Sequence, residues 1–270
     1  MRVNALYRST SGIFFAPVRT SIFIKGCREQ LDYLYYCLCA LRKHLAEWDR
    51  TEVVVKLDND CEPHIANWDF PRVNYRYELP WEDRYMHALW SKATADQCVE
   101  GELILLLDCD TFLSAPVALG DYVKNGRVAL QYLPWDIERD AGQQVALQLW
   151  PRVVKASTGL DLPHDYMVTR PWLYWRSTFA GARGLIEAHQ KKSFYAATFS
   201  HTYYDWTRYP LHPFTFCDLE TLGLYAALFE GHKYALSDFR AHMWPEPWLD
   251  LWSHTPFNKV RDKLDSLLGS

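Results

Sequence analysis

Apolar residues follow two rhythms along this chain. Between residues 28 and 48, Leu31, Leu34, Tyr35, Leu38, Leu41 and Leu45 recur at spacings of three and four, while Arg42, Lys43 and Glu47 fall off that stripe. The spacing predicts an amphipathic helix. Short, nearly unbroken apolar runs flank it: residues 21–25 read Ser-Ile-Phe-Ile-Lys and residues 52–58 read Glu-Val-Val-Val-Lys-Leu-Asp. Such runs suit strands buried on both faces of a parallel sheet, and the strand-helix-strand order calls for a right-handed crossover. Residues 73–79 alternate as a third strand, and residues 81–99 predict a helix with Tyr85, Ala88, Leu89, Lys92, Ala93 and Asp96 along one face. The most apolar run, Leu-Ile-Leu-Leu-Leu over residues 103–107, completes one half of a doubly wound α/β sheet with helices on both faces.

The rest of the chain is less regular. Residues 128–132 and 166–169 predict strands, residues 172–192 contain a helix, and residues 219–230 predict another. The first twenty residues are ambiguous, and there is no repeat or low-complexity tract. Nothing marks a linker within the 270 residues, so the expectation is one domain over residues 1–270. Its halves are expected at about residues 21–112 and 113–260.

Composition narrows the partners. The net charge is −4 and the basic residues are dispersed, which argues against nucleic acid. No apolar stretch is long enough to cross a membrane, and the start lacks a signal-like pattern. A soluble chain with no transmembrane segment is expected, with which peripheral membrane contact remains compatible. The seven cysteines are odd in number and lack metal-type pairing, so a reducing, cytoplasmic setting is expected. Twelve tryptophans supply flat apolar faces with a polar edge, the shape that stacks on a sugar ring, although most rings in any fold are core.

The chemistry concentrates where the 103–107 run stops, at Asp108 and Asp110. Residues two apart in an extended chain share a face, so both carboxylates can reach one divalent cation. Hard oxygen ligands at the carboxyl end of a parallel strand suit Mg²⁺ or Mn²⁺, with positions left open for phosphate oxygens. Asp58-Asn59-Asp60 is a second Asp-x-Asp at a strand end and competes for the same role. Asp218 and Glu220 stand at the predicted start of the 219–230 helix, where the dipole and free N–H groups favour carboxylates. One of them could act as a general base, or Asp218 could simply cap the helix. Lys92 could reach a diphosphate, brace the Asp110 loop or lie on the surface.

The Asp108-Cys109-Asp110 run resembles the DxD signature of nucleotide-sugar-dependent glycosyltransferases of the GT-A fold. Residues 163–186 and the segment Phe214-Thr-Phe-Cys-Asp-Leu-Glu-Thr-Leu-Gly223 are similar to an uncharacterised DxD glycosyltransferase-like family of bacteria and their viruses. In its Ser-Glu-x-Glu-x-x-Gly pattern this chain carries Cys217 for Ser and Asp218 for Glu. The stretch from Arg240 to Trp248 loosely resembles the His…Pro-Trp ending of glycogenin-like transferases, which makes His242 a third metal ligand, with His254 behind it.

The resemblance implies a GT-A-like α/β fold and metal-dependent transfer of a monosaccharide from a nucleotide diphosphate sugar to a hydroxyl of a glycan or lipid-linked acceptor. On this reading Asp108 and Asp110 hold Mn²⁺ or Mg²⁺, and Asp58 and Lys92 contact the donor. Asp218 or Glu220 serves the acceptor hydroxyl, and Trp135, Trp172, Trp175 and Trp206 offer stacking surfaces. A metal-dependent nucleotidyl- or phosphotransferase would use similar acids but lacks its usual glycine loop here. A carbohydrate-binding protein without catalysis is the other alternative.

Overall fold

The computed structural model describes residues 18–135, 141–167, 171–199, 215–239, 247–250 and 257–269. Its first half contains β1 (Thr20–Lys25), α1 (Leu31–His44), β2 (Glu52–Asp58), α2 (Glu62–Ile65), β3 (Val73–Glu78), α3 (Arg84–Ala93) and β4 (Leu103–Asp108). Next come β5 (Thr111–Leu113), β6 (Val123–Lys124), β7 (Arg127–Pro134), α4 (Ala141–Thr158), β8 (His164–Asp165) and β9 (Trp172–Trp175). The last elements are α5 (Arg176–Gln190), α6 (Phe194–Phe199), α7 (Asp218–Phe229), β10 (Tyr234–Asp238), β11 (Trp248–Asp250) and α8 (Arg261–Leu268).

The apolar runs pair as their burial demands. In the largest sheet the order is β3-β2-β1-β4-β9, with β1 to β4 parallel and β9 antiparallel at the edge beside β4. Ile22, Phe23, Ile24, Val53, Val54, Val55 and Leu105 are wholly buried, as strands covered on both faces require. From β1 the chain steps outward to β2 and β3, then returns to lay β4 on the other side of β1. Right-handed crossovers in opposite directions put α1 and α3 on opposite faces. Accordingly α1 packs against β5 and α8, and α3 packs against α7. The reversal between β1 and β4 is a topological switch point, where ligands of such sheets bind at the strands' carboxyl ends.

A second sheet has the order β10-β7-β6, with β8 pairing to β7, and β11 pairs with β5 in a third. One connected set of buried apolar residues runs from Ile22 through Leu105 to Tyr234. The architecture is α/β with a mostly parallel central sheet.

Several boundaries differ from the sequence reading. The helix expected over residues 81–99 is Arg84–Ala93, started by the Asp83 side chain accepting the Met86 N–H and followed by a tight turn at Ala95–Gln97. Residues 172–175 form β9 rather than the start of a helix, because Trp172, Leu173 and Tyr174 complete the buried edge of β4. The strand expected at residues 166–169 falls earlier, at His164–Asp165, while residues 168–170 lie outside the described residues. The helix α4, which carries Pro151 within it, was not visible in the apolar pattern. Among the described residues no helix is long and apolar enough to cross a membrane.

Candidate functional site at the carboxyl ends of the parallel strands

Asp108 ends β4 directly beside Lys25 at the end of β1, its partner in register. Its side chain is 32 % exposed, Cys109 is buried, and Asp110 is again half-buried. That alternation is what an extended chain running out of a core produces. Two partly open carboxylates fit a hard divalent cation that takes its other ligands from phosphate and water. Among the described residues no group of three or more His, Cys, Asp or Glu forms a complete metal site. His242, expected as a third ligand, lies outside the described residues, as do His254 and Trp206.

The second layer of the site comes from α3 and α7. Lys92 of α3 places Nζ 2.5 Å from Asp108 Oδ1 and 3.9 Å from Asp218 Oδ2, and 5.4 Å from the centre of the Trp172 ring. Burial alone would lower the Lys92 pKa, but the charges of Asp108 and Asp218 outweigh it and raise it, so the side chain is an ammonium. Asp218, the first residue of α7, is only 1 % exposed. Burial pushes its carboxyl up from 3.8 to about 6, with Lys92 and nearby backbone N–H groups pulling the other way. Its Oδ2 makes no hydrogen bond. That combination suits a proton acceptor working near neutral pH.

Glu220 has a different task. It is fully buried, and its Oε2 accepts the Tyr166 backbone N–H at 2.9 Å, tying α7 to the segment after β8. Gly223, one turn on, faces the Tyr166 ring so closely that a Cβ there would lie 2.3 Å from Tyr166 Cβ. The Glu-x-x-Gly spacing is thus a seat for Tyr166, and Asp218 is the acid of the pair that faces Lys92.

Beside this centre lies a cleft of about 730 Å³, with Lys25, Gln30, Asp58, Arg84, Tyr85 and His87 among its lining. Its size and position suit a nucleotide-sized ligand. Asp58 is buried and engaged by Lys25 Nζ at 2.7 Å. With Lys25 as its counter-charge, Asp58 belongs to the cleft floor rather than to a second open Asp-x-Asp site. His87 Nε2 stands 2.6 Å from Glu78 Oε1, and Lys56 Nζ stands 2.6 Å from Glu78 Oε2. Burial would raise the Glu78 pKa, but His87 and Lys56 together bring it down to about 2. Trp81 stacks on His87 at 4.6 Å. Lys25, Lys56, Glu78 and His87 escaped the sequence reading, although lysines at the ends of otherwise apolar strands were a legible signal.

The tryptophans divide. Trp172 is buried, its Nε1 donating to the Met167 carbonyl and its ring face near the Lys92 ammonium, so it walls the site instead of offering a free face. Trp175 pairs with Leu103 at the opposite end of β4, five residues or roughly 17 Å along the strand from Asp108. It is not a stacking surface of this site. Trp135 is partly buried, and its Nε1 donates to the Leu162 carbonyl.

No family model matches the chain, and comparison with the curated proteins gives no match. Among solved structures, the mannosyltransferase PcManGT from Pyrobaculum calidifontis, in complex with GDP-Man and Mn²⁺, is similar at 22 % identity and a TM-score of 0.30, over 36 % of this chain and 29 % of that one. TarS of S. aureus is similar at 20 % identity and a TM-score of 0.34, over 46 % and 23 %. The glycosyltransferase GlyE of Streptococcus pneumoniae TIGR4 is similar at 10 % identity and a TM-score of 0.41, over 84 % and 47 %. The chain spans less than half the length of each of these structures. At such scores the likenesses carry no functional argument, and the site has to supply it.

Proposed function

We propose that the protein is a GT-A-like glycosyltransferase that moves a monosaccharide from a nucleotide diphosphate sugar to a hydroxyl of a glycan or lipid-linked acceptor. The observation that carries this reading is the meeting of three features at one sheet end: the Asp108–Asp110 pair, the buried Asp218 behind Lys92, and the cleft over β1 and β2. The cleft accepts the nucleotide. Asp108 and Asp110 would hold a Mn²⁺ or Mg²⁺, which would supply charge neutralisation for the diphosphate as it leaves. Asp218, as base, takes the proton of the acceptor hydroxyl, and α7 fixes its direction through the Glu220 and Gly223 contacts with Tyr166. Trp172 walls the Lys92 side of the pair.

Calorimetric titration of nucleoside diphosphates with Mn²⁺ tests the reading. The parent binds, whereas Asp108→Asn and Asp110→Asn each lose about tenfold or more in ion-dependent affinity while keeping the parent's circular dichroism. Equal binding by all three proteins would remove the pair from the site. Binding without turnover of any nucleotide sugar, including slow hydrolysis, would favour a carbohydrate-binding protein instead.

A further inference from the structure

The Lys92 ammonium stands where it opposes the cation that Asp108 would hold. Its Nζ is 2.5 Å from Asp108 Oδ1 and 3.9 Å from Asp218 Oδ2, and its side chain is 10 % exposed. It lies between two carboxylates, so the charge it presents to an incoming ion is positive. We propose that Lys92 is a resident counter-cation that keeps free divalent ions off Asp108 and Asp110, so that the ion enters only as its chelate with a nucleoside diphosphate. The inference rests on the reading of these two acids as the ion-binding pair.

The physics fixes the sign of the effect. A unit cation about 5 Å from a divalent one repels it enough to cost roughly tenfold in affinity even with the screening of bulk water, and more where water is excluded. Lys92 also holds Asp108 Oδ1, which a metal would need to claim. A chelate meets less opposition, because its phosphate oxygens neutralise the ion and are themselves attracted to the ammonium. Free ion and nucleotide should therefore bind with strong positive coupling, and linkage makes that coupling reciprocal. Trp172, beneath the ammonium, and burial restrict where Lys92 can go, so the charge does not simply swing into solvent.

The experiment titrates Mn²⁺ into the full chain without nucleotide, for the parent, Lys92→Met, Lys92→Gln, Lys92→Arg and Asp110→Asn, and then repeats it with saturating nucleoside diphosphate. The two neutral variants are expected to bind free Mn²⁺ about tenfold more tightly than the parent, and Lys92→Arg to match the parent. The gap between neutral variants and parent should close or reverse when nucleotide is present. A lysine with only a structural role predicts the opposite sign, because its loss would loosen Asp108. Unchanged or weaker binding of free Mn²⁺ by the neutral variants, with Asp110→Asn losing the ion in the nucleotide-bound titration, overturns the counter-cation role and leaves the metal reading standing. Equal Mn²⁺ binding by the parent and Asp110→Asn under saturating nucleoside diphosphate overturns the metal reading and this inference with it. Should neither neutral variant fold, the parent carries the test by ¹⁵N NMR: saturating Mg²⁺ and nucleotide must shift the Lys92 Nζ resonance, and a static resonance overturns the proposal.

Discussion

Asp218 illustrates how position alone gives a common residue a special task. Burial raises its carboxyl from 3.8 to about 6, so the folded state holds this proton more tightly than the unfolded chain does. The stabilising contribution is therefore full below about pH 4 and is lost as pH climbs through 6. For metal-free protein, Asp218→Asn should flatten that part of the stability curve and raise stability at pH 7.5 by about 1–3 kcal/mol in urea unfolding. The same substitution should lower sugar transfer by about a hundredfold or more with donor affinity nearly intact, since proton transfer by a positioned group is of that order. A variant that is more stable and much less active identifies a functional acid; loss of stability would mark Asp218 as a helix cap. Glu220→Gln should behave differently, with a stability loss of about 1–3 kcal/mol from the weakened Tyr166 contact and no selective loss in the chemical step.

At the scale of elements, α7 acts as a carrier that delivers Asp218 to the end of β4. Its docking depends on Gly223, where an added methyl would collide with the base of the Tyr166 side chain rather than with a flexible tip. Gly223→Ala should therefore cost about 1–3 kcal/mol in stability, reflecting overpacking that outweighs the better helix propensity of alanine. Transfer activity should fall further than stability, because a shift of α7 moves Asp218 relative to Lys92. Denaturant unfolding alongside steady-state rates checks both. The helix α3 is the matching element on the other side: it starts at the Asp83 cap, lines the cleft with Tyr85 and His87, and carries Lys92 to Asp108 two turns later.

For the whole molecule, stability comes from one continuous core without covalent staples. All seven cysteines are free, and Cys37, Cys61, Cys109 and Cys217 are buried. Burial drives the Cys109 and Cys217 thiols well above their ordinary range, which keeps them unreactive. Adding dithiothreitol should leave the melting temperature and the activity unchanged, and a clear drop on reduction would point to a disulfide formed in solution.

The sequence by itself determined the strands β1 to β4, the helices α1 and α3 and the place where carboxylates interrupt the most apolar run. These are local properties: a strand buried on both faces must be apolar throughout, and a charge at its end is conspicuous. It also marked Asp218 and Glu220 as helix-start acids, without separating them. Only the tertiary structure decided that Glu220 is spent on the Tyr166 backbone while Asp218 faces Lys92. Only it removed Trp175 from the site by setting the β9 register, turned Trp172 into a wall, and built the Lys25–Asp58 and His87–Glu78 floor. The reason is that a side chain's partner depends on which strand lies beside which, and β4 is laid against β1 by a reversal of direction that no local pattern encodes. Apolar periodicity says which face of an element is buried; the neighbour it is buried against, and hence whether a buried acid meets a lysine or a backbone N–H, is a property of the assembled sheet.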